Sequence, residues 1–335
     1  MRFGLFFLPL AFTQSEARLE YDRIVADCIE ADASGWDCAW FTEHHFDRYG
    51  GIIPSPFVMM AAVARLTQRL RLGIAVSVLP MSDPVRLAEE AAMVDVLSNG
   101  RVDLGVGRGF MRHEFAAVSL SAEQRDAKVL DGWRAIRAIW NDRGATYEGE
   151  TVRFRSLRLM PRPVQSPHPP LWMAASTSPA SFEAAGTYGF HLMLNPYNRT
   201  QEELDRGLAL YRKARENAGF AWETRRVLVN FPLFLAESAT EAREGPTRAF
   251  KSYLATMEAA FQKNGESGRI SSGDYGAIAA KVLFGTPDDV LGKLAAWNAW
   301  GATDVSLMAR FADLPDELAY RSRELFMQRV APHLR

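Results

Sequence analysis

Short apolar runs alternate along the chain with longer segments whose apolar residues recur at helical spacing. The runs are rich in Val, Ile, Leu and Phe, which indicates strands buried on both faces and therefore a parallel sheet covered by helices. In chain order they are "RFGLFFL", "DCAWF", "LRLGIAVSVL", "RVDLGVG", "LWMAAS", "HLMLN", "RRVLVNFPLFLA" and "GATDVSLMA". Eight strands that alternate with helices predict an α/β fold, a single (β/α)8 TIM-barrel domain over residues 1–335.

Two segments interrupt this alternation. After the fourth strand, "GATYEGETVRFRSLRLMPRPVQSPHPP" predicts an insertion, namely a hairpin at "EGE" and then a Pro-rich connector. Near the C-terminus, the Gly- and Ser-rich residues 263–285 predict a long lid-like loop, although a linker would have the same composition. A doubly wound open sheet is disfavoured because the chain has no dinucleotide fingerprint; "GVGRGF" has Phe110 where the third glycine would stand.

The composition narrows the possible partners and location. A formal net charge of −1, made of dispersed charges of both signs, argues against nucleic acid and anionic membranes as partners. No run reaches the roughly 18 apolar residues of a membrane span. Cys28 and Cys38 are too far apart for a C-x-x-C motif, so we expect core thiols of a reducing compartment and no metal site. The N-terminal apolar run reads as a buried strand, which favours a cytoplasmic protein.

The stretch "WFTEHHF" places Glu43, His44 and His45 at the end of the second strand, where ligands of α/β folds usually bind. Histidine exchanges protons near neutral pH, so a histidine at this rim is a candidate acid or base. Adjacent residues of an extended chain point in opposite directions, so one histidine is expected to face the site. The alternative for His45 and Glu43 is hydrogen bonding to the loop backbone.

Two loops that follow consecutive strands predict a phosphate site. Glycines flank Arg108 in "GVGRGFMRHEF", which allows close approach of a ligand to a fixed guanidinium; pairing with a nearby carboxylate is the alternative. In "AASTSPAS", the hydroxyls of Ser176, Thr177 and Ser178 stand beside a helix start, where an anion binds well; ordinary capping is the alternative. Because consecutive barrel strands are neighbours, the two loops together predict a phosphorylated ligand. The small and apolar end of "LGIAVSVLP" could support a flat aromatic ring, or simply pack in the core.

These residues resemble the bacterial luciferase-like, flavin-dependent monooxygenases. The resemblance rests on "WFTEHHF", on residues 73–109, on "PPLWMAASTSPASFEAAG" and on "GTPDDVLGKLAAWNAWGATDVSLM". It implies a two-component monooxygenase: an NAD(P)H:flavin reductase supplies reduced FMN, and O2 then oxygenates a small organic substrate through a C4a-peroxyflavin. It also implies a homodimer formed by the helices "PFVMMAAVARL" and "LAEEAAMVDVL", although core contact within the barrel explains the same residues equally well. Ala175 stands where luciferases carry Glu, so light emission is not implied.

The resemblance assigns roles to individual residues. His44 would control the proton beside the flavin, with Glu43 or His45 in support, and the lid together with Phe7, Phe46 and Phe110 would exclude water. Ile74 and Ala75 would support the flavin ring through their backbone, which in the family often contains a cis peptide. The full set of residues expected to bind the cofactor is Ile74, Ala75, Arg108, Gly109, Phe110, Ala174, Ser176, Thr177, Ser178 and Asn195.

Two other functions stay open from the sequence. An oxidoreductase that uses the deazaflavin F420 would share the barrel and transfer hydride without O2. A non-catalytic luciferase-like subunit is the other possibility, although such a subunit would need neither His44 nor Arg108. The sequence does not distinguish an aldehyde, a ketone, a sulfur compound or a biosynthetic intermediate as the substrate.

Overall fold

Eight parallel strands close into a barrel in the computed structural model, which describes residues 1–11, 13–175, 178–265 and 272–335. The strands are β1 (Arg2–Phe7), β2 (Cys38–Phe41), β3 (Arg71–Val78), β4 (Val102–Gly107), β5 (Ala145–Glu148), β6 (Arg153–Leu157), β7 (Leu171–Ala174), β8 (His191–Leu194), β9 (Val227–Leu235), β10 (Leu283–Gly285) and β11 (Asp304–Met308). The barrel order is β1-β2-β3-β4-β7-β8-β9-β11, and β11 pairs with β1. The predicted TIM barrel is therefore confirmed.

Helices follow most barrel strands and cover the outside of the barrel. They are α1 (Gln14–Ser34), α2 (Pro56–Ala64), α3 (Pro84–Ser98), α4 (Arg112–Ala117), α5 (Ala122–Asn141), α6 (Pro179–Thr187), α7 (Gln201–Asn217), α8 (Ala239–Glu244), α9 (Thr247–Lys263), α10 (Tyr275–Lys281), α11 (Pro287–Trp300) and α12 (Asp316–Arg329). Several begin at a capping box, in which a Ser or Thr side chain accepts from the N3 backbone N–H. Buried apolar side chains fill the layer between the helices and the barrel.

The two interruptions have different outcomes. β5 and β6 form an antiparallel hairpin between β4 and β7. The prediction of one long loop over 263–285 is wrong in part. Lys263 belongs to α9, residues 275–281 form α10, and β10 adds to the barrel by pairing with β9. "YGAIAAK" contains good helix formers and "LFG" is an apolar strand segment, so neither needs to be loop. Residues 266–271 lie outside the described part of the chain.

Large side chains fill the interior of the barrel, and ion pairs close the end formed by the N-termini of the strands. Cys38, Trp40, Trp172, Met193 and Leu228 fill the interior, and the Trp40 and Trp172 rings meet edge to face at 5.3 Å. A Cβ on Gly73 would lie 2.2 Å from the Trp40 ring, so the indole fits only against glycine. At the N-terminal ends of the strands, ion pairs close the barrel; they join Arg2, Arg71 and Arg226 to Asp103 and Asp304. A ligand site is therefore left to the C-terminal end.

Three smaller expectations concern cysteines, membranes and metals. Cys28 and Cys38 are free and buried. Within the described ranges, we find no helix with the length and apolar character needed to cross a bilayer. The described side chains also contain no cluster of three or more His, Cys, Asp or Glu suited to a metal ion.

Candidate active site

The loop after β2 carries His44 to the C-terminal mouth of the barrel. Its Nδ1 lies 3.2 Å from Oε1 of Glu114, on α4, and the described residues provide no partner for Nε2. The His44 ring lies between aromatic neighbours, with centroids 5.3 Å from Tyr49 and 5.9 Å from Phe110. One ring nitrogen of His44 is thus engaged by a carboxylate, which orients the imidazole and leaves Nε2 for a ligand.

Glu114 is the residue that sequence reasoning missed. Its side chain is only 1% exposed, and Oε1 also accepts from the backbone N–H of His45 at 2.8 Å. A buried carboxylate needs such donors, because burial without hydrogen bonds is costly. The single available signal was an acidic residue in the loop region after β4, the same rim of the barrel. That signal is weak, because β3 separates β2 from β4.

Glu43 and His45 have different surroundings from His44. Nε2 of His45 lies 3.2 Å from Oε1 of Glu43, and Ser77 Oγ donates to the other Glu43 oxygen at 2.7 Å. The hydrogen bond to Glu43 raises the pKa of His45 above its usual value. Both residues line a cavity of about 480 Å³ between the starts of α2 and α3, and His44 does not line it. The Glu43 carboxylate therefore contacts the side chains of His45 and Ser77. The alternative considered for Glu43 was a hydrogen bond to the loop backbone, and the residue that makes such a bond is Glu114.

Arg108 follows β4 at the same mouth. It is exposed, and among the described residues it makes no hydrogen bond or ion pair, so the carboxylate partner considered above is not found there. Gly109 has φ of +68°, and a Cβ there would lie 2.7 Å from Val78 and 2.8 Å from Phe115. The glycine therefore lets the chain turn tightly and presents Arg108 to whatever ligand occupies the mouth.

The second half of the predicted phosphate site is described in part. β4 pairs with β7, so the loop that starts at Ala174 and Ala175 is adjacent to the Arg108 loop, as expected. Ser178 is the N-cap of α6 and Pro179 its first residue, but the Ser178 side chain makes no capping hydrogen bond. Ser176 and Thr177 lie outside the described residues. Asn195 is exposed at the end of β8.

The floor of the mouth comes from β1 and β3. Phe6, Ala75 and Val76 are partly buried and pack on the apolar cluster inside the barrel. The peptide bond between Ala75 and Val76 is cis, one residue beyond the expected pair. The Ile74 side chain is fully buried in the outer core, so Ile74 can present only its backbone to a ligand.

Two of the three predicted shielding residues lie elsewhere. Phe7 is buried in the layer between barrel and helices, where it stacks on Phe41 at 5.5 Å. Phe46 is 64% exposed and lines the cavity that contains His45. Of the three, Phe110 stands beside His44. The side of β1 on which Phe7 lies could not be predicted, because successive residues of a strand face opposite sides and an all-apolar strand hides which side is which.

Helix α9 reaches the same mouth and shields it. Its Phe261 ring lies 5.5 Å from Phe110. Lys263 Nζ pairs with Asp47 in the loop after β2 at 2.7 Å. The buried Asn264 side chain donates to the Phe110 carbonyl at 2.9 Å and accepts from the Arg112 N–H. The end of α9 is thus attached to both the His44 loop and the Arg108 loop.

The chain belongs to the luciferase-like monooxygenase family, whose model matches residues 1–304. It is 33% identical over 222 residues to the oxygenase component of a flavin-dependent trigonelline monooxygenase from Acinetobacter baylyi, a match that covers 64% of this chain and 60% of that protein. The chain spans roughly half to 60% of the curated relatives it matches first. The predicted family is therefore confirmed.

Solved structures also resemble the whole chain, two of which carry the comparison. Monooxygenase RslO1 from Streptomyces bottropensis has a TM-score of 0.90 and 31% identity over 99% of both chains. The oxygenating constituent of 3,6-diketocamphane monooxygenase from Pseudomonas putida, a type II Baeyer-Villiger monooxygenase in complex with FMN, has a TM-score of 0.85. Its identity is 22%, with 100% of this chain and 99% of that chain covered, so this second likeness supports the fold alone.

Proposed function

We propose that this chain is the oxygenase component of a two-component flavin-dependent monooxygenase, located in the cytoplasm. A separate NAD(P)H:flavin reductase would supply reduced FMN, and O2 would be the second substrate. The observation that carries the proposal is the pairing, at one barrel mouth, of Arg108 on a glycine loop with His44 held by Glu114. Bound reduced FMN would supply the electrons with which one atom of O2 enters a small organic substrate and the other leaves as water.

The residues at the mouth fit that cofactor. Arg108 would hold its phosphate, because a guanidinium matches phosphate oxygens in charge and geometry. Ala75 and Val76 offer a small, apolar surface for a flat ring. Phe110 and the end of α9 would exclude water, which matters because water diverts such chemistry to peroxide. His44 would hold or move one proton at Nε2, with its ring oriented by the contact between Nδ1 and Glu114.

Two alternatives make different predictions. An F420-dependent oxidoreductase would use the same barrel, since a deazaflavin also has a ring and a phosphate, but would consume no O2. A non-catalytic subunit would need neither an oriented His44 nor a cation beside Gly109. The contact between Glu114 and His44 favours a catalytic chain, because it orients an imidazole at the mouth of the barrel, which a stabilising subunit does not require.

Titration with FMN, reduced FMN and F420 tests the proposed function. We expect reduced FMN to bind and F420 to bind weakly or not at all, measured by cofactor absorbance and fluorescence. Oxygen uptake is then measured with reduced FMN and an aldehyde, a ketone or a thioether. Oxygen-independent oxidation or reduction with F420 would favour the first alternative. Failure of the full-length protein to bind either cofactor would favour the second.

Glu114 is expected to support His44 in turnover. Replacing Glu114 by Gln removes the negative charge but keeps an acceptor for the His45 N–H, so turnover should fall about tenfold with unchanged FMN affinity. Glu43→Gln is the comparison, because Glu43 contacts His45 and not His44. The turnover number of each variant, measured by steady-state kinetics at saturating FMN, shows whether Glu114 or Glu43 supports His44. A larger loss in Glu43→Gln would assign the supporting role to Glu43.

We also propose a homodimer that buries helices α2 and α3. Val58 on α2 is 72% exposed and Met93 on α3 is 55% exposed, and Val96 on α3 is also exposed. Grouped exposed apolar side chains mark interaction surfaces more often than single ones do. Light scattering should give a dimer for the wild type and a monomer for Val58→Glu. Met160→Glu is the control, because Met160 is 81% exposed in the Pro-rich connector; a monomeric wild type would refute the dimer.

A further inference from the structure

The side chain of Asn264 joins the end of α9 to the loop that carries Arg108. Asn264 directly follows α9 and is only 1% exposed. Its Nδ2 donates to the backbone carbonyl of Phe110 at 2.9 Å, and its Oδ1 accepts from the backbone N–H of Arg112, the first residue of α4. The two backbone groups lie on either side of Met111. One amide therefore holds both ends of the segment that leads from the loop into α4.

The chemistry of this contact calls for an amide. A carbonyl requires a donor and an N–H requires an acceptor; the Asn side chain provides both, whereas a Leu side chain of similar size provides neither. Asn264 is buried, so a substitution that removes the amide loses both hydrogen bonds with little compensation from solvent. The Asn264 side chain therefore fixes the backbone at residues 110–112.

The position of Arg108 depends on that backbone. Residues 108–111 join β4 to α4, and the glycines at 107 and 109 give the chain on both sides of Arg108 wide conformational freedom. The Arg108 side chain is exposed and, among the described residues, makes no hydrogen bond or ion pair that would orient it. The order of this short loop therefore comes in part from the segment that Asn264 holds, two residues beyond Arg108.

We propose that Asn264 is a positioning residue for cofactor binding: it holds the loop after β4 in the conformation in which Arg108 reaches the phosphate. This inference rests on the proposed function, because it requires FMN at this mouth with its phosphate on Arg108. A loop that is ordered before binding loses less conformational entropy when the ligand arrives, so Asn264 raises affinity without touching the ligand. The competing explanation is that Asn264 only attaches α9 to the barrel.

Binding of FMN and of riboflavin, which has no phosphate, separates the two explanations. Asn264→Leu removes both hydrogen bonds at similar volume, Asn264→Ala is the second variant, and thermal melting verifies that each is folded. Fluorescence titration of the full-length protein should show the dissociation constant for FMN raised about 3- to 10-fold, the value of one net hydrogen bond, and that for riboflavin unchanged. Gln262→Leu removes an exposed amide from the last turn of α9 and should change neither constant.

A double variant tests whether Asn264 acts through Arg108. With Arg108 replaced by alanine, Asn264→Leu should weaken FMN binding by about twofold or less, because the group that Asn264 positions is gone. Losses that multiply in the double variant overturn the inference. Equal losses for FMN and riboflavin in Asn264→Leu, or unchanged FMN affinity, also overturn it while leaving the proposed function intact. Absence of FMN binding by the wild type refutes the proposed function, and the inference with it.

Discussion

Replacing His44 by alanine should lower turnover by roughly 10²- to 10⁴-fold, the usual contribution of a positioned acid or base. The reason is geometric: Nδ1 is engaged by Glu114, so the remaining nitrogen is the proton donor or acceptor that the mouth offers. FMN affinity should change little, because Arg108 and the β3 floor, rather than His44, are proposed to hold the cofactor. Single-turnover oxygen transfer from preloaded reduced FMN measures the chemical step, and fluorescence titration measures FMN affinity.

The control for this substitution is His333→Ala, which removes an exposed histidine near the C-terminus. It should retain full turnover and thereby exclude a general effect of losing an imidazole. An increase in peroxide release with unchanged oxygen consumption would indicate that His44 protects the reaction rather than performing it. Equal product formation in His44→Ala and wild type would remove His44 from the mechanism.

The barrel could be predicted from the sequence because its strands are nearly continuous apolar runs. Such runs report burial on both faces, which a parallel sheet covered by helices requires. The same uniformity conceals which face each side chain occupies. Phe6 contributes to the floor of the mouth and Phe7 to the outer core, yet nothing in "RFGLFF" distinguishes them. The expected shielding role of Phe7 is therefore wrong for a physical reason.

Contacts between distant loops were beyond sequence reasoning. His44 was identifiable because it follows a strand closely, but Glu114 is 70 residues away on the short helix α4, and no motif links the two residues. The contact of Phe110 with Phe261 has the same property, since the two residues come from distant elements and share no motif. Strand ends indicate which residues reach the mouth, whereas tertiary packing decides which of them meet.

Replacing Arg108 by alanine should raise the dissociation constant for FMN by about 10- to 100-fold, the range for loss of charge-assisted hydrogen bonds to phosphate. Turnover at saturating FMN should stay close to the wild-type value, because Arg108 is proposed to hold the phosphate and not the reacting ring. Fluorescence titration with FMN and with riboflavin, which has no phosphate, measures the effect. Riboflavin affinity should be the same in wild type and variant.

Two further variants make the Arg108 prediction specific. Arg108→Lys keeps the charge but loses the planar fork, so FMN affinity should be intermediate. Arg112→Ala removes another exposed arginine, at the start of α4, and should leave FMN affinity unchanged. Equal losses for FMN and riboflavin in Arg108→Ala would mean that Arg108 shapes the ring site instead. Unchanged FMN affinity in Arg108→Ala would mean that the phosphate binds elsewhere. The proposal that the loop after β4 holds FMN at this mouth would then fail, and the glycines beside Arg108 would have no ligand to accommodate.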